Sequence, residues 1–222
     1  MKDDKKMGQI NHHLTDQLLI GYAAGTLPEA FGLVVATHVS LCDECRARLG
    51  GFEAVGGCLM DECADSAVGS DALQATLALI ARGPQEPVKL PRNGADTVFP
   101  APLRDYAGSD LSAINWRRLG GGVRHARLAT SDAATVRLLH IPAGTRLPDH
   151  GHRGNEMTLV LQGAFRDETV RFARGDIEIA DQNMHHTPVA EQGEACICLA
   201  ATDAPLKFSG LIQRIAQPFL RI

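Results

Sequence analysis

The sequence predicts an α+β chain of more than one domain, with a small helical bundle first and an all-β part after it. Apolar residues recur at helical spacing up to about residue 80, whereas short alternating or continuously apolar runs, separated by glycine-bearing turns, follow residue 102. A His-x3-Cys-x2-Cys pattern, formed by His38, Cys42 and Cys45, lies in the helical part. Because imidazole and thiolate groups are typical ligands of structural zinc, we expect a zinc ion to staple the bundle.

Composition and charge limit the classes of molecule that this chain is expected to bind. With 222 residues and 45% apolar side chains, the chain can bury a substantial core. The net charge of -4 and the pI near 6.1 provide no attraction to nucleic acid or to anionic membranes, so we expect neither as a partner. No apolar segment follows the charged start, and the longest nearly apolar run, residues 30–39, is too short to span a bilayer. We therefore expect a cytoplasmic protein.

Four helices are predicted in the N-terminal part. Thr15 is a candidate N-cap for the first helix, which should end near Gly25, and Pro28 suits the first turn of the second helix. Apolar spacing predicts a third helix over residues 46–55 and a fourth over residues 70–80.

The predicted zinc site depends on the geometry of the second helix. On a continuous helix His38 lies over Cys42 at i,i+4, and Cys45 follows at i,i+3, so the three ligands share the core-facing side. Three ligands leave one tetrahedral corner open, and His13, just before the first helix, is expected to fill it. A Cys-x2-Cys pair is also typical of thioredoxin-like redox sites or of two buried thiols, but no βαβ pattern surrounds this one.

The fourth predicted helix is the candidate partner-binding element. Leu73, Leu77, Leu79 and Ile80 surround more than one face of this helix, so part of the apolar surface is available to a partner. The same pattern is also typical of a helix buried in its own core, and the sequence leaves both interpretations open.

A proline-rich stretch divides the chain. Five prolines fall between residues 83 and 102, with little periodicity among the other residues. This composition predicts an extended linker over residues 86–102, between a helical zinc-binding domain at 1–85 and a β domain at 103–222.

The β part carries a second set of metal ligands. Gly144, His150, His152, Glu156 and Gly163 stand in the pattern G-x5-H-x-H-x3-E-x6-G. The two histidines at i,i+2 project from the same face of a strand, and the glutamate shares that face. The pattern resembles the first motif of the cupin family, which implies a double-stranded β-helix, or jelly-roll, barrel.

The fourth cupin ligand is implied by a second family motif, G-x5-P-x-G-x2-H-x3-N. Only Gly175 and His186 match it, because Asp181, Asn183 and Ala190 replace the proline, the middle glycine and the asparagine. His186 is therefore expected as a ligand, in a turn whose shape departs from that of the family. Three imidazoles and one carboxylate suit Zn, Fe, Mn or Ni, so these ligands do not identify the metal.

Two cysteines share one face of a later predicted strand. Cys196 and Cys198 at i,i+2 are candidates for oxidisable thiols near the metal if that face points inward. The alternative, two small core residues in a strand, is the more common situation.

The combination of a helical His…His-x3-Cys-x2-Cys unit and a cupin is similar to the ChrR-type zinc-binding anti-sigma factors. The resemblance spans nearly the whole chain and rests on His13, Tyr22 to Thr26, His38 to Cys45, Asp149 to Arg153, Gly163 to Glu168 and His186 to Pro188. It implies a cytoplasmic, non-enzymatic inhibitor whose zinc-binding helices sequester an RpoE-type extracytoplasmic-function sigma factor, in a one-to-one complex. It also implies a cupin domain that senses singlet oxygen or related oxidants and triggers release of the sigma factor.

A cupin metalloenzyme is the rival interpretation. An Fe or Ni dioxygenase or lyase would use His150, His152, Glu156 and His186, with the helical part as an accessory domain. Against it, no obvious general base or substrate-anchoring cluster accompanies these ligands in the sequence, and four protein ligands leave few open positions at the metal.

Overall fold

A computed structural model of the chain describes residues 9–83, 98–151, 153–167 and 170–205, together with the backbone of 207–208. In this part of the chain five α-helices precede twelve β-strands, and a short 3-10 turn, Leu111–Ala113, lies between them. The helices are α1 Asp16–Ala23, α2 Glu29–Leu41, α3 Asp43–Asp61, α4 Ala72–Arg82 and α5 Ala101–Ala107. The strands are β1 Arg117–Gly120, β2 Val123–Leu128, β3 Thr135–Ile141, β4 His150–Gly151, β5 Glu156–Gln162, β6 Ala164–Arg166, β7 Arg171–Ala173, β8 Ile177–Ala180, β9 His185–His186, β10 Val189–Ala190, β11 Cys196–Thr202 and β12 Lys207–Phe208.

Local signals set the ends of the first two helices as predicted. The hydroxyl oxygen of Thr15 accepts a hydrogen bond from Leu18 N–H (3.4 Å), which satisfies one of the amide groups that the start of a helix leaves free. The chain turns after α1 at Gly25, whose φ of +65° is accessible to glycine at little cost. Pro28 stands at the N-cap, one position before the predicted first turn, and its missing N–H is not needed there.

The ligand-bearing helix is not continuous, contrary to the prediction. α2 ends at Leu41, and Cys42 takes an extended conformation (φ −109°, ψ 108°) before α3 begins. The sulfur of Cys42 accepts a hydrogen bond from Cys45 N–H (3.4 Å) and so caps α3. Asp43 and Glu44 follow in the first turn of α3, where negative charge stabilises the start of a helix. These local signals favour a break at the cysteine over one long helix.

The strands pair antiparallel in three sheets. The large sheet has the order β1-β2-β3-β11-β5-β8, and the two small sheets have the orders β10-β6-β7 and β12-β4-β9. The outer face of the large sheet packs against the helices in one apolar cluster that includes Val34, Leu103, Leu138, Leu159 and Leu199. The inner face packs against the β10-β6-β7 sheet in a second cluster that includes Ile141, Val160, Phe165, Phe172 and Cys198. A helical bundle followed by a β barrel, the predicted fold class, is confirmed.

One helix was not predicted, and it lies at the end of the proline-rich stretch. α5 begins at Ala101, so residues 101 and 102 are helical rather than extended. Pro102 occupies the first turn, where a helix tolerates proline. Phe99 and Leu103 are fully buried in the cluster that also holds α2. Residues 86–97 of the predicted linker lie outside the described residues, and the division into domains at 1–85, 86–102 and 103–222 stays a prediction.

The fourth predicted helix is present and exposed. α4 buries none of its residues against the described part of the chain. Leu73, Leu77 and Ile80 are 66%, 49% and 68% exposed, which favours an available surface over a core helix. None of the described helices has both the length and the apolar character needed to cross a bilayer.

Candidate metal sites and their junction

The four predicted zinc ligands come together. The sulfur of Cys42 lies 3.3 Å from His13 Nδ1, the sulfur of Cys45 lies 3.7 Å from the same nitrogen, and His38 Nε2 lies 3.3 Å from the sulfur of Cys45. All four donor atoms lie within 4.8 Å of one another. Around a tetrahedral zinc ion, neighbouring ligand atoms are about 3.3 to 3.8 Å apart, so this donor set fits zinc.

The surroundings of the donors also suit a metal. His13 turns Nδ1 towards the sulfurs, while its Nε2 lies 3.4 Å from a carboxylate oxygen of Glu44. A carboxylate behind the ring is the common way to orient a ligating histidine. Arg48 places a guanidinium nitrogen 4.0 Å from the sulfur of Cys45, where positive charge favours the thiolate.

The pKa values show how this donor set depends on its burial. Burial lowers the pKa of His38 to about 4, and the nearby His13 adds to the effect, while the backbone of Gly175 acts in the opposite direction. Burial raises the pKa of Cys45 to about 11, and Cys42 raises it further. His38 is therefore neutral and ready to bind a cation, whereas Cys45 must lose a proton on binding, as is usual when a thiol becomes a zinc ligand.

Two histidines of the predicted cupin site face each other. The Nε2 atoms of His150 and His186 lie 3.2 Å apart, and both side chains are buried. Behind the rings, His150 Nδ1 lies 2.9 Å from the carbonyl oxygen of Pro148, and His186 Nδ1 lies 3.2 Å from a carboxylate oxygen of Glu178. When each Nδ1 donates to its oxygen, both Nε2 lone pairs point at the same spot, and a cation there would relieve their repulsion.

Acidic side chains surround His186. Burial alone would lower its pKa, but the carboxylates of Glu178, Glu156 and Asp167 outweigh burial and raise it. Asp167, Glu178 and His186 bring their ligand atoms within 4.8 Å of one another. The sequence analysis missed Asp167 and Glu178. The available signal was a glutamate between two isoleucines in β8, which places a charged group on the inner face of a buried strand.

Of the other two predicted cupin ligands, Glu156 and His152, only Glu156 lies among the described residues. Glu156 is half-buried on the inner face, where its carboxylate accepts a hydrogen bond from the Thr158 hydroxyl (3.1 Å). Within the described residues it does not join a cluster of three ligand atoms with His150 and His186. His152 lies outside the described residues. The cupin ligand set therefore stays a prediction.

The two candidate redox cysteines are buried neighbours. Cys196 and Cys198 lie on the inner face of β11 with their sulfurs 3.5 Å apart, and both are free thiols. The hydrogen bond with Cys196 raises the pKa of Cys198, and burial raises it further. A raised pKa disfavours the reactive thiolate, so their placement among apolar side chains agrees with the core interpretation.

Asp176 joins the helical part to the barrel. Its Oδ1 accepts hydrogen bonds from the backbone N–H groups of Asn11 (2.6 Å) and His12 (3.0 Å), and its Oδ2 accepts one from Ala173 N–H (2.8 Å). Ile177 N–H donates to the carbonyl of His12 (3.3 Å). Asp176 is 1% exposed, and two of its three donors, Asn11 and His12, lie 165 and 164 positions earlier in the chain. We name this contact the junction.

The junction adjoins both candidate metal sites along the chain. Residues 11 and 12 lead directly into His13, and Asp176 precedes Glu178, the partner of His186, by two positions. Gly175 fits closely, because a Cβ atom there would lie 2.6 Å from the side chain of Ile10. A short, tightly packed turn before β8 thus contacts the segment that leads into His13, the first predicted zinc ligand.

Comparison with known proteins agrees with these observations. A profile of the ChrR cupin-like domain matches residues 106–205. The anti-sigma-E factor ChrR of Cereibacter sphaeroides is 60% identical over 213 residues, which cover 96% of this chain and 99% of that protein. A crystal structure of Rhodobacter sphaeroides SigE in complex with the anti-sigma ChrR superposes with a TM-score of 0.78 at 58% identity, covering 88% of this chain and 100% of that chain.

Proposed function

This chain belongs to the ChrR family of anti-sigma factors, and we propose that it sequesters an RpoE-type extracytoplasmic-function sigma factor through its zinc-binding helical part. The observation that carries the proposal is α4, an amphipathic helix with no buried residue in the described structure. A helix of 11 residues is too short to be stable in water by itself, so it requires a surface to pack against.

The apolar surface is large enough for a stable complex. Four large apolar side chains of α4 are exposed, and α3 adds Val55, Leu59 and Met60 at 60%, 62% and 76% exposure. Fully burying one such side chain contributes about 1.5 to 3 kcal/mol, so half of the set supplies several kcal/mol to binding. Burial of these side chains by one partner molecule would give a one-to-one complex with the sigma factor.

Zinc has a structural part in this function. A zinc ion held by His13, His38, Cys42 and Cys45 would join the segment before α1, the end of α2 and the start of α3. Because three separate segments supply the ligands, metal binding depends on folding of the helical bundle, which we call the platform, and folding depends on metal binding. The platform then presents α3 and α4 to the partner.

The binding surface is tested with Leu73→Lys/Leu77→Lys in the full-length protein. Because two buried lysines would be left without partners, affinity for the purified sigma factor should fall at least about 100-fold. Gln74→Lys/Thr76→Lys adds the same charge to the same helix at polar positions and is the matched control. Zinc content should stay unchanged in both variants. Unchanged sigma affinity in the leucine variant, with zinc intact, contradicts the proposed surface.

In this proposal the cupin part receives the oxidant signal. We propose that singlet oxygen or a related oxidant acts at a site held by His150, His152, Glu156 and His186, with zinc or another divalent transition metal, and that the sigma factor is then released. Direct packing of the barrel on the helical part supports transfer of the signal through the junction, because a shift of β8 moves Asp176 and with it the segment before His13. The protein would then act in the cytoplasm, without contact to DNA or membrane.

The role of the cupin site is tested with His186→Ala. Sigma inhibition in the dark should persist, whereas induction by singlet oxygen should fall at least fivefold in a sigma-dependent reporter strain. Glu194→Gln, an exposed substitution in the turn before β11, is the control. Normal induction with His186→Ala would remove the site from the sensing role. A catalytic cupin is disfavoured, because near full-length identity to an anti-sigma factor indicates a regulator rather than an enzyme.

A further inference from the structure

A cavity of about 550 Å³ lies beside β1, the strand at one edge of the large sheet. Arg118, Arg124, His140 and residues 120–122 contribute to its lining, and none of the lining residues is acidic. Binding sites for small organic molecules commonly have volumes of about 300 to 1,000 Å³, so the cavity is large enough for such a ligand. The proposed anti-sigma role does not involve this cavity.

The three polar side chains of the cavity form a row on the outer face of the sheet. Strand pairing places Arg124 between Arg118 and His140. Leu128, an even-numbered residue of β2 like Arg124, packs in the cluster that contacts the helices, which identifies this side of β2 as the outer face. Glu178 of the candidate metal cluster has neighbours in β8 that pack on the outer side, so its carboxylate points to the inner face. The cavity is therefore separate from the candidate metal site of the barrel.

The guanidinium group of Arg124 is held in place from two sides. Its carbon lies 5.7 Å from the ring centre of Trp116, and the π-face of an indole attracts a cation. Its Nη2 lies 3.0 Å from Nε2 of His140, whose ring stands edge-on to Trp116 with the ring centres 5.8 Å apart. Burial lowers the pKa of His140, and Arg124 lowers it further, so the ring is neutral and accepts the hydrogen bond. A guanidinium group fixed in this way loses little freedom when a ligand binds.

Arg118 and Arg124 bring two positive charges to the cavity. The two residues are directly opposite each other on β1 and β2, where like charges repel. Among the described residues neither of them forms an ion pair with a carboxylate. A phosphate monoester carries a charge of about −1.5 to −2 at pH 7, which matches this pair better than the single charge of a carboxylate. Its oxygens would replace the repulsion by charge-assisted hydrogen bonds.

The hairpin between β1 and β2 leaves its backbone open towards the cavity. Gly121 and Gly122 form the two-residue turn with φ values of +56° and +80°, which glycine adopts at little cost. A Cβ atom at Gly120 or Gly121 would meet no atom within 4 Å, so open space adjoins the backbone there. A ligand next to the two arginines can therefore approach the main chain of the turn closely.

We propose that this cavity binds a small organic phosphate monoester, with the phosphate group between Arg118 and Arg124 and the organic part along the backbone of the hairpin. Arg124 is the principal contact, because it is half-buried and already oriented, and the exposed Arg118 is the second contact. The cavity volume leaves room for more than a phosphate group alone. The proposal depends neither on the sigma factor nor on a bound metal.

Phenyl phosphate tests the site in the full-length protein, as isolated with its metals. Trp116 is the only tryptophan of the chain and lies beside Arg124, so its fluorescence reports on ligands in this cavity. Phenyl phosphate should change this fluorescence to saturation, and calorimetric titration should give the same dissociation constant, expected at about 1 mM or below. Benzoate has the same ring but a single charge and should bind at least about threefold more weakly.

Substitutions assign the binding to the two arginines. Arg124→Gln should weaken the binding of phenyl phosphate at least about tenfold, and Arg118→Gln should weaken it by a smaller factor. Arg124→Lys keeps the charge but loses the planar fork, so it should bind less tightly than wild type. Arg127→Gln is the matched control, because Arg127 belongs to the same strand as Arg124, points to the opposite face and does not line the cavity. Zinc content should be the same in all four variants.

Four outcomes would overturn the proposal. Phenyl phosphate leaves the fluorescence of Trp116 unchanged, with or without binding heat, or Arg124→Gln binds it like wild type. Alternatively, Arg127→Gln weakens binding as much as Arg124→Gln, as general attraction to a basic surface would, or benzoate binds as tightly as phenyl phosphate. Arg118 is exposed, so Arg118→Gln keeps the test decisive if Arg124 proves necessary for folding.

Discussion

Cys42 combines three local roles at one backbone position. It ends α2, caps α3 through its sulfur, and directs the same sulfur towards His13. Because it stands at the corner between two helices, it can face a ligand that precedes α1, which a residue inside a straight helix would reach less directly. Glu178 also has more than one role, because its carboxylate orients His186 and raises the pKa of that histidine.

At the residue scale, Cys45→Ser should remove the zinc of the helical part. A serine hydroxyl is a poor zinc ligand, so total zinc should fall by about one ion per chain, and the melting temperature should fall on the order of 10 °C. Metal analysis and thermal unfolding measure the two effects. Cys63→Ser changes an exposed cysteine in the same way and should keep both values. Equal zinc content in the two variants would contradict the ligand assignment.

At the scale of elements, an ion pair connects the small sheet of the barrel. Glu191, just after β10, accepts hydrogen bonds from Arg171 of β7 through both of its oxygens (2.9 to 3.1 Å) and from Arg166 of β6 (3.2 Å). The hydrogen bonds with Arg171 hold the pKa of Glu191 below its ordinary value of 4.5, and Arg166 contributes in the same direction. A single carboxylate thus links the three strands of the β10-β6-β7 sheet through hydrogen bonds.

Glu191→Gln should destabilise the protein slightly and in a pH-dependent way. The carboxylate is partly exposed, so the loss at pH 7 should be less than about 1 kcal/mol. Because its pKa is lower in the folded state, the contribution is fully present above the unfolded value of 4.5 and is lost as the pH falls through the folded value. Urea unfolding of both proteins at pH 7 and pH 3.5 should show a difference that shrinks at low pH. A difference that grows on acidification contradicts the assignment.

At the scale of the whole molecule, the barrel and the helical bundle share one apolar cluster and one buried polar contact. α2 packs on the outer face of the large sheet, and Asp176 holds the backbone before His13. The two candidate metal sites are therefore connected by packed structure as well as by the chain. Such a connection allows a change in the barrel to alter the platform that presents α3 and α4.

Asp176→Asn should loosen the junction without unfolding either part. An amide accepts hydrogen bonds more weakly than a carboxylate and cannot serve three N–H donors through two oxygens, so the expected cost is about 1 to 3 kcal/mol. Hydrogen exchange at the amides of Asn11 and His12 should accelerate roughly 10- to 100-fold, while zinc content is kept. Asp181→Asn, an exposed substitution after β8, is the control. Unchanged exchange at these amides would mean that Asp176 does not hold the two parts together.

Local spacing made much of this protein predictable. The cap at Thr15, the start of α2 after Pro28 and the presence of α4 follow from neighbours a few positions apart, and the predicted family is confirmed by the near full-length relative. The same spacing left open whether the leucines of α4 are buried or exposed. The single helix through Cys42 was wrong because periodicity does not register a cap made by a side-chain sulfur. α5 was missed because prolines were interpreted as a linker, although the first turn of a helix accepts them.

The sequence by itself determined the order of a helical part and a β part and the residue types available to hold metal, because these depend on periods of two and 3.6 residues and on ligand chemistry. Only the tertiary structure decided that Asp167 and Glu178 surround His186 and that Asp176 holds the backbone before His13. The physical reason is that these contacts join segments up to 165 positions apart, and their pairing follows from sheet register and packing, on which local spacing carries no information.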